Sequence, residues 1–362
     1  MDHQLGIVTG LALNQAVVMA FAPSPETHRK EVAAISKNYP GKVSFELDSI
    51  PPFRPGDWGN YLRGAALALR DQFGKRLGRG MVAMVDGDLP IGGLSSSAAV
   101  GVAYLLALEA VNGLSLSIAD NIHFDRVIEN GYIGLRNGIL DQSVILAAER
   151  DRLFSLDCQS ETWHSVQGLP AGAFQILVVY SGVEQALVST GYNQRVAECR
   201  EAAKQLLNAA GRRVANGAVL RQVSEETFAK HGLTLPPTLR KRATHFFTEQ
   251  ARVRDGAAAW AGADVKRFGK LVVQSGKSSV ENYECGSPPL ITLYELLVGS
   301  PGVLGARFSG AGFRGNCIAM VEPSQAEAVA VAVAEGYARR HPTEAKNFSA
   351  CVCETDDGAR LV

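Results

Sequence analysis

The most constraining feature of this sequence is Ala98–Val111, a run that is apolar on nearly every face of a helix. A surface helix would carry polar residues along one side, so a helix of this kind has to be enclosed by other elements. Asn112-Gly113 provides its stop signal, and Gly80–Asp86 before it reads as a short buried strand. The run therefore predicts a central helix within a large mixed core.

Strands and helices follow one another along the rest of the chain without the regular βαβ rhythm of a doubly wound sheet, which favours an α+β fold. The chain has 362 residues, 46% of them hydrophobic and 20% charged, enough for two domains with substantial cores. Strand-like segments around a turn at residues 150–175 mark the candidate boundary. We therefore predict an N-terminal domain over residues 1–160 and a C-terminal domain over residues 161–362.

Charge and composition argue against several classes of protein. Lys+Arg and Asp+Glu both number 36, whereas a nucleic-acid binder needs a basic excess. No segment approaches the roughly 20 apolar residues of a membrane span, and the N-terminus lacks the charged region of a signal peptide. The six cysteines form no Cys-x-x-Cys pair, so a zinc ribbon is not expected. We expect a reduced, cytoplasmic protein that acts on a small molecule as a monomer or homodimer.

A glycine- and serine-rich loop, Pro90–Ala99, connects the buried strand to the central helix. Its glycines allow the backbone to approach a ligand closely, and the start of the following helix attracts anions. A nucleoside triphosphate fits these properties, although the loop has neither the Gly-Lys-Ser/Thr of a Walker loop nor the Gly-x-Gly-x-x-Gly of a Rossmann turn. The alternative is a serine-capped helix after a tight turn, and the loop taken alone favours it.

The loop resembles motif 2 of the GHMP kinases, and other segments are similar to that family in the same order along the chain. These segments are Trp58–Gly64, Gly138–Gln142 and Phe308–Cys317. The segments that resemble the galacturonokinase branch of the family are Ile128–Ser143, Ser279–Gly286 and Gly305–Gly315. Together the matching segments span most of the chain and are specific as a set.

The resemblance implies the two-domain GHMP kinase fold. Its N-terminal domain is ribosomal-protein-S5-like, its C-terminal domain is ferredoxin-like α+β, and its active site lies in the cleft between them. The resemblance also implies ATP and Mg²⁺, with the γ-phosphoryl group transferred to the anomeric hydroxyl of D-galacturonate. Two alternatives stay open at this point. One is a galactokinase or L-arabinokinase acting on a neutral sugar, and the other is a catalytically silent protein that binds nucleotide or sugar.

The same resemblance assigns roles to single residues. Asp141 corresponds to the catalytic aspartate, whose carboxylate would take the proton of the sugar hydroxyl; a helix-capping role is the alternative. Ser97 and Glu129 correspond to the Mg²⁺ ligands, since Mg²⁺ needs few protein oxygens beside phosphate and water. For Glu129 the alternative is a solvated charge at a helix end. The corresponding phosphate-binding residues are Gly92, Gly93, Leu94, Ser95, Ser96, Ser97 and Ala98.

Other correspondences concern adenine and the sugar. Trp58 and Tyr61 match residues of the adenine pocket, although an aromatic pair at helical spacing is also typical of a core. A uronate needs a cation for its carboxylate, and an arginine fork suits it best. Arg136 is our first choice and Arg314 the second, with a surface or phosphate contact as the alternative for either. The remaining predicted substrate contacts are Asp2, Gly138, Tyr192 and Gly312. For the last two, the alternatives are helix packing and a plain turn.

The sequence departs from the family pattern at its N-terminus. The family carries an arginine and a Gly-Glu-His-like segment before the position of Asp2, whereas here Met1 directly precedes it. That arginine would stabilise charge on the transferring phosphate. A shortened sequence, a misassigned start codon or a loss of catalysis would each produce this pattern. The sequence alone therefore predicts weak or no turnover by these 362 residues.

Overall fold

A computed structural model describes residues 1–87, 94–183, 191–214, 216–313 and 315–362. The chain divides into two compact units. The smaller unit comprises Asn14–Leu89, Ser95–Ala148 and Asp357–Val362, and the larger comprises Met1–Leu13, Pro90–Leu94 and Glu149–Asp356. The units interleave along the chain, whereas the division at residue 160 that the sequence predicts is contiguous and stays a prediction.

The strands are β1 (Ile7–Gly10), β2 (Val17–Pro23), β3 (Glu31–Ser36), β4 (Lys42–Glu46), β5 (Met81–Gly87), β6 (Leu153–Asp157), β7 (Thr162–Val166), β8 (Gln175–Tyr180), β9 (Val303–Phe308), β10 (Asn316–Val321) and β11 (Ser349–Cys353). The α-helices are α1 (Asn60–Phe73), α2 (Ser96–Asn112), α3 (Ile118–Arg126), α4 (Leu140–Ala147), α5 (Tyr192–Ala209), α6 (Glu225–His231), α7 (Pro237–Ala261), α8 (Val265–Ser278), α9 (Pro288–Val298) and α10 (Ala326–Arg340). This mixture of helices and sheets confirms the α+β class.

The smaller unit is built on a four-stranded sheet in the order β2-β5-β3-β4. β5 pairs antiparallel with β2 and parallel with β3, and β3 and β4 form an antiparallel pair. The core joins this sheet to α1 and α2, with Tyr104, Leu105 and Leu108 of α2 almost fully enclosed. The predicted central helix and the predicted strand before it are therefore both confirmed.

The segment after α2 differs from the sequence prediction. Three glycines within residues 131–138 predict a tight loop there, after a helix that ends at Glu129, but α3 continues as a π-helical segment, Val127–Ile133. Gly134 ends that segment in the left-handed conformation, with φ 86. π-helical turns inside helices occur frequently at functional sites. The first residues of the expected loop are thus helical, and the true loop is shorter.

The larger unit contains two antiparallel sheets, in the orders β11-β8-β10-β9 and β1-β6-β7. Its main core is formed by the first of these sheets together with α5, α7, α9 and α10. A second π-helical segment, Ser279–Tyr283, continues α8. Among the described residues, no helix combines the length and the hydrophobicity that a membrane span requires.

Candidate active site

The predicted phosphate-binding loop leads into α2. Of its predicted contacts, the structure describes Leu94, Ser95, Ser96, Ser97 and Ala98, while Gly92 and Gly93 lie outside the described residues. Ser95, the residue before α2, takes the left-handed conformation at φ 58 and makes no capping hydrogen bond through its side chain. This conformation is strained for serine, and such strain clusters at binding and catalytic sites. The capped-helix alternative therefore does not describe this turn.

Tyr61 of α1 contacts the first turn of α2. Its hydroxyl interacts with the side chain of Ser97. Burial raises the pKa of Tyr61, and the charges of Glu129 and Asp125 raise it further, so the hydroxyl stays protonated at neutral pH. The structure thus places Tyr61 beside a predicted Mg²⁺ ligand, a contact that the sequence did not predict.

Trp58 lies just before α1. Its ring packs against the core of the smaller unit, and its Nε1 donates to the carbonyl oxygen of Pro40 at 3.3 Å. Tyr61 also packs against this core. The contacts of both aromatic residues are those of the core-packing alternative, and the adenine pocket stays a prediction.

Asp125 of α3 is a functional candidate that the sequence did not single out. Its side chain is fully buried, and neither carboxyl oxygen has a hydrogen-bond partner among the described residues. The carboxyl group lies against the bare backbone of Gly101 on α2, where a Cβ atom would overlap Oδ1. Burial raises the pKa of Asp125 well above its ordinary value, and the charges of Glu129 and Asp141 add to this. A carboxyl group that has no partner when buried is costly and needs an explanation.

Glu129 lies one helical turn after Asp125, in the π-helical segment. It is 1% exposed, so the alternative of a solvated helix-end charge is wrong. The side-chain amide of Asn137 donates to Glu129 Oε2, and the N–H of Leu135 donates to the Glu129 carbonyl at 2.9 Å. The loop before α4 therefore folds back onto Glu129 and enters the same site.

Asp141 lies in the first turn of α4 and is partly buried. Two neighbours tie that turn to the preceding residues: Ser143 Oγ donates to the Ile139 carbonyl at 2.5 Å, and Gln142 Nε2 donates to the Gly138 carbonyl at 3.4 Å. A carboxylate at a helix N-terminus is stabilised by the helix dipole. Asp141 and Glu129 both lie within electrostatic reach of Asp125.

The oxygen donors near Ser97 suit a hard divalent cation. The described residues contain no group of three or more His, Cys, Asp or Glu side chains that would hold a metal by themselves. Mg²⁺ does not require such a cage, because it keeps waters and takes phosphate oxygens beside one or two protein ligands. The buried carboxylate of Glu129 and the hydroxyl of Ser97 are oxygen donors of the kind that Mg²⁺ takes, and both groups interact with the Tyr61 hydroxyl, Glu129 through its charge.

Three predicted sugar contacts of the larger unit, Asp2, Tyr192 and Gly312, lie at or beside a chain of aromatic ring contacts. Asp2 lies in a helical turn in which its Oδ1 accepts the N–H of His3 at 2.7 Å. His3 meets the ring of Tyr192, the first residue of α5, edge-on at 6.0 Å. Tyr192 in turn meets Phe313 edge-on at 6.5 Å, directly after Gly312. Asp2, Tyr192 and Gly312 are thus linked through side chains of the same unit.

Buried hydrogen bonds fix the orientation of His3. Gln4 Oε1 accepts the N–H of Leu220 at 3.0 Å, so its amide nitrogen is the group that donates to His3 Nδ1, at 3.0 Å. His3 Nε2 must then carry the proton, and it donates to the Tyr283 hydroxyl at 3.1 Å. Burial lowers the pKa of His3 well below its ordinary value, so the ring is neutral. The turn that carries Asp2 is therefore rigidly held.

Gly312 has a structural requirement of its own. Its φ is 74, and a Cβ atom would lie 2.9 Å from Cys285 Sγ and 3.1 Å from the Phe308 ring. Both the backbone conformation and the space require glycine. Among the arginines, Arg136 is exposed in the loop before α4, and Arg314 lies outside the described residues. Gly138, in the same loop as Arg136, presents its carbonyl to Gln142.

Two protein-family models match segments of this chain. The model described as "GHMP kinases N terminal domain" matches residues 60–149, and the model described as "GHMP kinases C terminal" matches residues 258–339. A galacturonokinase of Arabidopsis thaliana is 44% identical over 385 residues, which cover 100% of this chain and 90% of the relative. A galactokinase of Chloroflexus aggregans is 31% identical over 363 residues, covering 100% of this chain and 89% of the relative.

Solved structures show the same fold. The crystal structure of Lactococcus lactis galactokinase complexed with galactose matches with a TM-score of 0.88 at 27% identity, covering 100% of this chain and 91% of that one. A mevalonate kinase structure matches with a TM-score of 0.68 at 14% identity, covering 98% of this chain and 95% of that one. The second match bears on the fold alone.

Proposed function

This chain belongs to the GHMP kinase family and is a phosphotransferase, and we propose that it phosphorylates the anomeric hydroxyl of D-galacturonate with ATP as the donor. One structural observation carries the proposal. Ser97 interacts with the Tyr61 hydroxyl, Glu129 acts electrostatically on that hydroxyl, and Glu129 and Asp141 both act electrostatically on Asp125. Identity to the plant galacturonokinase over the whole chain supports the choice of sugar.

Asp141 is the proposed general base. Its carboxylate takes the proton of the anomeric hydroxyl as the sugar oxygen bonds to the γ-phosphorus and the bond from that phosphorus to the bridging oxygen of ADP breaks. The start of α2, with Ser95, Ser96 and Ser97, is proposed to hold the phosphates through backbone N–H groups. Ser97 and Glu129 would hold Mg²⁺, which neutralises charge on the phosphates when bound.

The sugar contacts are assigned to the larger unit and to the loop before α4. Asp2 and Tyr192 are proposed to bind sugar hydroxyls, and Gly312 is proposed to let the backbone approach the substrate. Arg136 is proposed to bind the uronate carboxylate, because it is an exposed guanidinium five residues before Asp141. Arg314 is the second choice for that role.

The experiment is an ATP-coupled assay with galacturonate, glucuronate, galactose and L-arabinose. We expect the highest kcat/KM for galacturonate, and a loss of about 10²–10⁴-fold in kcat for D141N. D120N is the matched control, because Asp120 also lies in the first turn of a helix, where it caps α3. A D141N variant that turns over like D120N would contradict the assignment of the base.

The choice of sugar is tested with R136M. The variant should lower kcat/KM for galacturonate more than for galactose, since only the uronate carries a carboxylate. An equal loss on both sugars would remove Arg136 from the sugar site. A higher kcat/KM of the unaltered protein for galactose would instead assign it to the neutral-sugar kinases.

A further inference from the structure

Two asparagine amides lead to Glu129 in a directed chain. Asn130 Nδ2 donates to Asn137 Oδ1 at 2.6 Å, and Asn137 Nδ2 donates to Glu129 Oε2. An ionised carboxylate can only accept hydrogen bonds, so Asn137 must present its amide nitrogen to Glu129. Its oxygen is then left for Asn130, which is the arrangement observed. The orientation of both amides therefore follows from the charge of Glu129.

The backbone brings Asn137 to this position. Gly134 ends the π-helical segment with φ 86, and the N–H of Leu135 then closes on the Glu129 carbonyl at 2.9 Å. This reversal returns the chain to the face of the segment that carries Glu129. Asn137 follows two residues later and reaches the carboxylate. Leu135 itself is buried, which anchors the return.

The neutral amide has a specific electrostatic consequence. Glu129 is 1% exposed, and a buried carboxylate needs hydrogen-bond donors to stay ionised. A lysine or arginine at position 137 would supply donors but would also cancel the charge that attracts a divalent cation. An asparagine supplies a donor and leaves the negative charge intact.

We propose that Asn137 is a positioning residue that orients the Glu129 carboxylate toward a divalent cation, with Asn130 fixing the orientation of Asn137. This inference rests on the proposed metal-binding role of Glu129. Groups that hydrogen-bond to metal ligands fix the geometry of those ligands, and removing one typically lowers metal affinity by about 10–100-fold. The competing role for Asn137 is purely structural, as a staple that closes the loop before α4.

The test measures Mn²⁺ binding in the presence of saturating ADP, followed by the electron paramagnetic resonance signal of free Mn²⁺. N137L keeps the approximate shape of the side chain and removes the donor, and we expect it to weaken Mn²⁺ binding by about 10-fold or more. N130A should weaken it by a smaller factor, because one donor to Glu129 remains. E129Q should weaken binding at least as much as N137L.

N112A is the matched control. Asn112 lies at the opposite end of α2 and also staples a loop, through bonds to Arg79 N and O and to Leu108 O at 2.9 Å each. It should lower the midpoint of thermal unfolding and leave Mn²⁺ affinity unchanged. If N137L does not fold, N137S replaces it. N130A removes the exposed first donor of the hydrogen-bond chain that leads to Glu129.

Three outcomes separate the claims. Weaker Mn²⁺ binding by E129Q and N137L, with unchanged binding by N112A, supports the inference. Weaker binding by E129Q together with unaltered binding by folded N137L or N137S would overturn the role of Asn137 and leave the metal site intact. Unaltered binding by E129Q would contradict the metal-binding role proposed for Glu129, and the inference with it.

Discussion

Arg242 in the larger unit and Asp125 in the smaller unit are both buried ionisable residues, and their surroundings are opposite. The Arg242 side chain is 1% exposed and donates to Glu198 at 2.6 Å, to Glu284 at 2.8 Å and to the Asn282 carbonyl at 2.6 Å. Asp125 is buried as completely, but its carboxyl oxygens have no hydrogen-bond partner among residues that the structure describes.

The two environments shift the pKa values of their carboxyl groups in opposite directions. Hydrogen bonds from Lys241 and Arg242 lower the pKa of Glu284 to about 2. Burial raises the pKa of Asp125 well above its ordinary value, and Glu129 and Asp141 raise it further. Ion-paired carboxylates such as Glu284 connect neighbouring helices. A buried carboxyl group without such a partner, such as Asp125, lowers stability, and groups of this kind are found mainly at functional sites.

The largest expected effect is the loss of the Arg242 cluster. R242M leaves two carboxylates without their buried partner, and removing one partner of a buried ion pair typically costs about 3–5 kcal/mol. We expect a loss of this size in the free energy of unfolding, measured by urea denaturation at pH 7. K241M is the control, since Lys241 pairs with the same Glu284 from an exposed position and should cost at most about 1 kcal/mol.

A smaller effect is expected from closing the space in which Asp125 lies. G101A introduces a Cβ that overlaps the Asp125 carboxyl group, so we expect a loss of about 1–3 kcal/mol in the free energy of unfolding. In a D125A background the same change should stabilise the protein by up to about 1 kcal/mol, because alanine favours a helix interior. Equal effects in both backgrounds would show that the contact is not the cause.

The next comparison is the pH dependence of stability in D125N and in the unaltered protein. The folded protein holds a proton on Asp125 more tightly than the unfolded chain does, so any stability from this group is complete below about pH 3.9 and declines as pH rises. Asparagine does not titrate. Raising the pH from 4 to 8 should therefore lower the unfolding free energy of the unaltered protein relative to that of D125N. A constant difference would refute the raised pKa.

The smallest effect is expected for E284Q. Glu284 is 38% exposed, which limits the energy of its ion pairs. Its pKa is lowered in the folded state, so its contribution is present at pH 7 and is lost as pH falls below about 4.3 toward 2. E284Q should lose well under the R242M cost at pH 7 and converge with the unaltered protein near pH 2. A gap that persisted at pH 2 would point to packing rather than charge.

Much of the smaller unit could be predicted, because local pattern and environment agree there. The apolar run of α2 is stable only when other elements enclose it. The spacing of Glu129 and Asp141 follows a family motif. Asp125 could not be predicted in the same way. It stands between Phe124 and Arg126 in a helix that reads as half-exposed, and its burial depends on a glycine of another helix. Only the fold brings those two residues together.

The sequence did not predict the π-helical segment or the contact of Asn137 with Glu129, for a related reason. Glycines at 131 and 134 signal a loop, whereas the backbone continues one wider turn before Gly134 reverses it. Asn137 then lacks any local signal, since its partner lies eight residues earlier. The spacing of Asp125 and Glu129 was the one available signal. Residues four apart lie on the same face of a helix, so a metal-binding role for Glu129 would have placed Asp125 near the same site.

The pairing of β1 with β6 has a consequence for biosynthesis. Ile7 pairs with Asp157, and almost the whole smaller unit lies between them in the chain. At roughly 5–20 residues per second, a ribosome needs about 8–30 s to deliver the partner of β1 after β1 has emerged. During that interval the smaller unit's sheet and α1–α4 become available to fold, while β1 still lacks β6, the strand with which it pairs. Because Asp357–Val362 belong to the smaller unit, that unit receives its last segment only after the residues of the larger unit have been synthesised.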